Sequence, residues 1–386
     1  MRYITQIIQT HFMKKYNLKI LTVVGTRPEI IRLSEIIKKL DEFFNHKLIF
    51  TNQNFSPELS DIFIKELQIK KPDYFFNISN KTVGQFYGDV LINSEKVFKK
   101  ENPDAIVILG DTNSCVCALI AKRMGIPIFH LEAGNRSFDN NVPEEINRKI
   151  ADNISDFNLV YTNYAKLNLL SEGFDKRRIF IIGSPLNEVL EKNKSRINSS
   201  KILGKLRVKK NKYLLISLHR EENIENEKKL NVLISSILNL EKIYKMKIII
   251  TNHPRFHKKN SKLKNNKNIL LCKPFGYFDY IKLQKNAFCT LSDSGTIAEE
   301  SAIFNFPAIC LRDSIERPEA LDEGSIILTG VNEENIINSI KMTKKNFRSP
   351  NNCPIDYKIK DTSIRVIKLI QGLSNLRNKW LNIDKN

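Results

Sequence analysis

The chain has 386 residues, 41% of them hydrophobic, and a formal charge of +20, which suits two domains of similar size better than one core. The charge invites a nucleic-acid reading, but the lysines are spread among Asn and Ile and form no stripe interleaved with aromatics, so no nucleic-acid partner is expected. Six cysteines include no CxxC pair, and Pro254 separates His253 from His257, the one histidine pair at helical spacing; buried thiols and no structural metal are expected.

From the N-terminus, MRYITQIIQTHFMKKYNLKILTVVG has no long apolar core followed by a small-residue cleavage site, and no later stretch reaches membrane-spanning length. A cytoplasmic protein without membrane attachment is expected, its first twelve residues a dispensable tail. Strands follow as short runs rich in Ile, Val and Leu: KILTVVG, KLIFTNQ, DAIVILG, PIFHLE, FNLVYT and RIFIIG. Helical stretches between them predict a parallel sheet covered on both faces. After the lysine- and serine-rich stretch from Lys192 to Lys212 the pattern restarts with YLLISL, KIIITN, NILLCK, AFCTLS, PAICLR and SIILTG. The fold class is α/β, two doubly wound Rossmann-like domains facing across a cleft. The first is expected over residues 1–190 plus a returning C-terminal helix within 361–386, the second over 191–360.

Ligands of open α/β sheets bind outside the carboxyl ends of the strands, and most of the unusual polar clusters here fall at such ends. Gly25-Thr26-Arg27-Pro28-Glu29 turns from strand to helix with Pro28 suited to the first helical position; Arg27 at the helix mouth, with Arg32 one turn on, offers an anion site. Thr26 as a plain cap explains Thr26 and Pro28 but not Arg27. The loop is neither GxGxxG nor Walker, which argues against a bound dinucleotide or ATP. Asp111 in GDT reads as an N-cap or as a reactive carboxylate. The segment HLEAGNRSFDNNVPEEINRK brings Glu132, Arg136, Glu144, Glu145 and Arg148 together, either as a solvated loop of alternating charge or as a proton-transfer site with an anionic ligand.

Downstream, His219 and Arg220 follow an apolar strand as acid or phosphate ligands, or as ordinary structural residues. NHPR ends the strand KIIIT. Ser294-Gly295-Thr296 reads as a phosphate cradle at a helix start, with Asp293 as a simple cap the alternative. Of Glu299 and Glu300 behind it, one is expected to accept ribose hydroxyls. Arg312 and Arg317 add phosphate-directed charge, or Arg317 pairs with Glu316 or Glu319 on a solvated turn.

In this order, GTRPE, GDT, the EAG…R…PEE.NR block, HR.EN, DSG and ERPEA resemble the non-hydrolysing UDP-N-acetylglucosamine 2-epimerases over nearly the whole chain. The resemblance implies a glycosyltransferase-B architecture, a cytoplasmic homodimer, a UDP-sugar substrate for surface-polysaccharide precursors, and no cofactor. It implies catalytic roles for Asp111, Glu132, Glu144 and His219, with Arg148 as an active-site arginine. Arg27, Arg32 and Arg220 are then expected on the diphosphate. Ser294, Gly295, Thr296, Glu300 and Arg317 are expected on the UDP side, with Phe275 and Tyr277 where the family packs its uracil. Asn135, Ser137 and Phe138 are expected to read the sugar. Members acting on UDP-N-acetylglucosamine read DSGG and AGLRT, whereas here DSGT and AGNRS stand at 293–296 and 133–137. That wording resembles the branch forming UDP-N-acetyl-L-fucosamine, or the one acting on diacetamido uronates.

The C2 proton of such a sugar is not acidic, so the implied chemistry is elimination of UDP to a glycal and re-addition with the proton delivered to the other face. A glycosyltransferase of the same architecture and a hydrolysing epimerase are the competing readings.

Overall fold

The computed structural model describes residues 16–53, 64–79, 82–139, 141–252, 261–346 and 353–380. The first twelve residues, His253, His257 and most of the NHPR segment lie outside them. The described residues fall into two compact units. One runs to Gly134, resumes through Val189 and takes the chain again from Lys360; the other comprises Asn135–Asp139 and Leu190–Ile359.

Among the described residues the first unit has a seven-stranded parallel sheet. Its strands are β1 (Tyr16–Val24), β2 (Phe44–Phe50), β3 (Tyr74–Phe75), β4 (Ala105–Leu109), β5 (Ile128–Leu131), β6 (Phe157–Val160) and β7 (Ile179–Ile181), in the order β3-β2-β1-β4-β5-β6-β7. The order reverses between β1 and β4, the switch point of a doubly wound sheet. Every residue of AIVIL, IFHL and FNLV is buried, as expected of strands covered on both faces. Helix α1 (Arg27–Phe43) follows β1, α2 (Val83–Glu101) precedes β4, α3 (Cys117–Arg123) precedes β5, and α4 (Pro143–Ile154) and α5 (Asn163–Ser171) flank β6. Thr82 and Thr162 cap α2 and α5 by accepting from the amides of Gln85 and Ala165.

In the second unit, a six-stranded parallel sheet contains β8 (Tyr213–Leu218), β9 (Lys247–Asn252), β10 (Ile269–Cys272), β11 (Cys289–Ser292), β12 (Ala308–Cys310) and β13 (Ile327–Leu328), ordered β10-β9-β8-β11-β12-β13. Here the reversal lies between β8 and β11. Leu214, Ile216, Ile248 and Ile250 pack with Leu233 and Ile237 of the helix Glu227–Tyr244 as its core. Each such side chain contributes roughly 1.5–3 kcal/mol by burial.

Two elements differ from the sequence reading. β3 is only two residues long and pairs at the sheet edge, and its sequence, Tyr74–Phe75, is not part of an Ile-, Val- or Leu-rich run. The lysine-rich stretch after Lys192 is not a bare linker: it forms helices Lys194–Ser199 and Ile202–Lys205, which bury Ile197 and Ile202. The last helix, Thr362–Trp380, belongs to the first unit, where Ser363 donates to Glu188 from both its amide (2.7 Å) and its hydroxyl (2.6 Å). No described helix is long and apolar enough to cross a membrane.

Candidate active site

In the first unit the switch point is bridged by Glu29. Its Oε2 accepts from the amides of Gly25 (2.9 Å) and Thr26 (2.6 Å) and from Thr26 Oγ1 (2.7 Å), while Oε1 accepts from Thr112 Oγ1 (3.0 Å). One carboxyl thus ties the turn after β1 to the turn after β4. Burial pushes its pKa from the ordinary 4.5 up to about 7, against the hydrogen bonds that favour its charged form. Gly25 is required here, because a Cβ would stand 1.9 Å from Ser114 Oγ.

Beside it, Arg148 of α4 pairs with both Asp111 and Glu145, the latter at 2.5 Å, and Arg32 of α1 pairs with Glu132. Arg32, Glu132, Glu145 and Arg148 are buried, so these ions are compensated where solvent does not reach. Glu132 sits directly after β5 with φ +65°, a left-handed conformation costing a non-glycine residue roughly 1–2 kcal/mol. Its amide donates to Leu159 O (3.1 Å), so strand pairing and the Arg32 contact hold the turn. Asp111 and Glu132 therefore stand in the turns just after the paired strands β4 and β5, each on a different arginine.

Other expected residues of this unit fall differently. Arg27 is half-buried at the start of α1. Glu144 is exposed, whereas its neighbour Glu145 faces inward. Glu145, Arg148 and Asp152 lie three and four residues apart on one face of α4, a spacing visible in the sequence. The Thr-x-x-Glu spacing that makes Glu29 reach back to the turn was equally visible.

In the second unit, Asp293 is not a cap for the helix that follows. Its carboxylate crosses the switch point and accepts from the amides of His219 (2.9 Å) and Arg220 (3.1 Å) and from Asn223 Nδ2 (3.2 Å). That leaves Ser294-Gly295-Thr296 as a turn of small residues before the helix Ile297–Phe304, with Ser294 Oγ 3.0 Å from Thr296 Oγ1. A Cβ on Gly295 would meet Arg312 Nη1 at 3.1 Å and Arg317 Nη1 at 3.2 Å. Two arginines thus crowd the turn. Arg312 makes a forked pair with Glu316 (2.7 and 2.5 Å), and Glu316 also lies 3.7 Å from Arg220.

Arg317 is buried, not on a solvated turn, and its Nε stands 2.8 Å from Glu299 Oε2. Glu300 accepts from Gln284 Nε2 at 2.6 Å. Phe275 is half-buried against the cluster of Tyr213 and Leu215, and Tyr277 is buried. His219 is exposed and Arg220 half-exposed. Asn135 and Ser137 are buried and Phe138 is 74% exposed; Asp139 Oδ2 accepts from Ser314 Oγ (3.2 Å) within this unit.

Two parallel doubly wound sheets with charged groups gathered at both switch points also describe known proteins. The family model for UDP-N-acetylglucosamine 2-epimerase matches residues 38–371. A UDP-N-acetylglucosamine 2-epimerase of Methanococcus maripaludis is 42% identical over 350 residues, 86% of this chain and 94% of that protein. The chain belongs to this family. As a member of the 2-epimerase family it is an isomerase, with the two-domain glycosyltransferase-B fold. The solved 2-epimerase of Rickettsia bellii superposes with a TM-score of 0.88 at 39% identity, covering 94% of this chain and 99% of that one. A Methanocaldococcus jannaschii 2-epimerase, solved in complex with UDP-GlcNAc and UDP, superposes with a TM-score of 0.85 at 37% identity, covering 92% of this chain and all of that one. Among the described residues no three His, Cys, Asp or Glu side chains cluster as metal ligands.

Proposed function

We propose that the protein inverts C2 of a UDP-N-acetylhexosamine by eliminating UDP and adding it back. The observation that carries this reading is the pair Asp111 and Glu132, ionisable groups on adjacent strand ends, each held by its own buried arginine. Elimination breaks the C2–H and C1–O bonds, leaving a glycal and UDP; re-addition restores C1–O and places a proton on the opposite face of C2. The two proton transfers need differently placed groups, and Asp111, Glu132 and the exposed Glu144 are the candidates. In the second unit, the Ser294-Gly295-Thr296 turn, Arg317, His219 and Arg220 are assigned to the leaving diphosphate, whose developing charge they would stabilise. Glu300 is assigned to the ribose, Phe275 and Tyr277 to the uracil, and Arg27 to the diphosphate. Arg32 is assigned there too, once its pairing with Glu132 is exchanged for substrate.

For the sugar we propose UDP-N-acetylglucosamine, because the Methanococcus relative at 42% identity bears that name. The second reading, UDP-N-acetyl-L-fucosamine formation, rests on AGNRS and DSGT, with Asn135, Ser137 and Phe138 as the sugar readers. A homodimer and a cytoplasmic site of action remain parts of the proposal. Turnover on UDP-N-acetylglucosamine, the corresponding 6-deoxy-L-talose amide and the diacetamido uronate decides the sugar. Phosphorus NMR in the same samples separates the mechanisms: steady accumulation of free UDP would mean hydrolysis, and product formation only with an added acceptor would mean glycosyl transfer.

A further inference from the structure

We infer that His130 is a positioning residue that fixes the peptide bearing Asp111, an inference that rests on the proposed role of Asp111. His130 lies in β5 among Ile128, Phe129 and Leu131 and is fully buried. An apolar residue would serve the sheet at that place. What the histidine adds is two polar contacts: Nε2 is 2.9 Å from the carbonyl oxygen of Gly110, and Nδ1 is 2.9 Å from Asp152 Oδ1.

The Gly110 carbonyl belongs to the peptide whose nitrogen is that of Asp111, so a donor on that oxygen sets the plane from which the Asp111 side chain departs. Gly110 itself has φ +68°. The next carbonyl along, that of Asp111, accepts from Asn147 Nδ2 at 3.1 Å. Both peptides flanking Asp111 are therefore held by neighbouring side chains. Asp152 also holds the Glu132 turn: it accepts from the amide of Gly134 (3.3 and 3.2 Å to its two oxygens), two residues past Glu132 and at φ +76°. Asp152 lies one helical turn after Arg148, the partner of Asp111. Helix α4 thus sets the charge of the site through Arg148 and its backbone through Asn147 directly and through Asp152 by way of His130 in β5.

Two amide substitutions separate the contacts. In His130→Gln the side-chain amide nitrogen occupies the place of Nε2 and can still donate to Gly110. In His130→Asn it occupies the place of Nδ1 and cannot reach Gly110. We expect His130→Asn to lower kcat by about tenfold or more, with KM and the Kd for UDP within about twofold, because misplacement of a reacting group acts on the transition state rather than on binding. His130→Gln should retain kcat to within about threefold. Hydrogen exchange of the amides around Gly110 and Asp111, followed by mass spectrometry, should quicken in His130→Asn and not in His130→Gln. Wild-type kcat in His130→Asn, equal losses in both variants, or a parallel loss of UDP affinity would overturn the inference. If His130→Asn fails to fold, His130→Gln decides alone: a folded but inactive protein refutes the role, and a folded protein with wild-type turnover and exchange supports it. If the wild type turns over no UDP-sugar, the functional proposal fails, while loop exchange in the two variants still tests the positioning.

Discussion

Glu29→Gln should remove a pH dependence that the wild type carries. Burial makes the neutral carboxyl the favoured form in the fold, raising its pKa from 4.5 to about 7. Between these values the folded protein holds a proton that the unfolded chain has released, so stability falls as pH rises. The stabilisation is fully present below pH 4.5 and is lost as pH passes 7. At ~1.4 kcal/mol per tenfold change in proton affinity, it amounts to about 3 kcal/mol for a group with no solvent to screen it. Glutamine is neutral throughout; its oxygen can accept from the amides of Gly25 and Thr26, and its nitrogen can face Thr112 Oγ1. The difference in unfolding free energy, Glu29→Gln minus wild type, should therefore grow in favour of the variant from pH 5 to pH 8. Guanidinium denaturation at intervals across that range measures it, with exchange in β1 and β4 reporting the local transition. A constant difference would refute the assignment, and one that grew towards low pH would show that Glu29 is held ionised by its four donors.

Arg317→Met should cost about 3–5 kcal/mol, because it removes the guanidinium facing the fully buried Glu299, and should weaken UDP binding by calorimetry. Adding Glu299→Gln should recover stability but not affinity; recovery of both would take Arg317 out of the UDP site. Gly134→Ala forces a Cβ to within 2.3 Å of Ala165 O at a φ of +76°, and a loss of about 3 kcal/mol or more is expected. Gly372→Ala, where nothing stands within 4 Å, should gain about 0.5–1 kcal/mol from helix propensity; equal thermal midpoints for the two variants would contradict the steric account. Tyr357→Phe removes the 2.7 Å bond to buried Glu319 Oε1 and should cost about 1.5–3 kcal/mol, with a loss under about 0.5 kcal/mol counting against it.

The twelve short apolar runs all became strands: the inner ones are buried on both faces, which demands continuous apolar sequence, and the half-buried edge strands β7, β10 and β13 carry the same Ile- and Leu-rich signal. The polar clusters in the turns after them stood out in the sequence as motifs at strand ends. Pairing within those turns was not legible. Glu144 and Glu145 are identical in type and adjacent, and only the phase of α4 sends Glu145 to Arg148 and leaves Glu144 outside. Asp293 reads locally as a cap, yet its partners lie more than 70 residues away in the neighbouring strand end. Arg317 has Glu316 and Glu319 beside it in sequence, but its close contact is Glu299, on the helix Ile297–Phe304. His130 was hidden by its setting, a polar side chain inside an apolar strand whose purpose depends on Gly110 twenty residues earlier.

In the proposed reaction C2 loses and regains its proton while UDP is detached from C1. Turnover of the preferred UDP-sugar in heavy water, with C2 followed by proton NMR, tests it directly. One deuterium should enter C2 of the product, and Glu144→Gln should abolish that exchange while still binding UDP. Epimerised product that keeps its original C2 proton in heavy water would rule out elimination and re-addition.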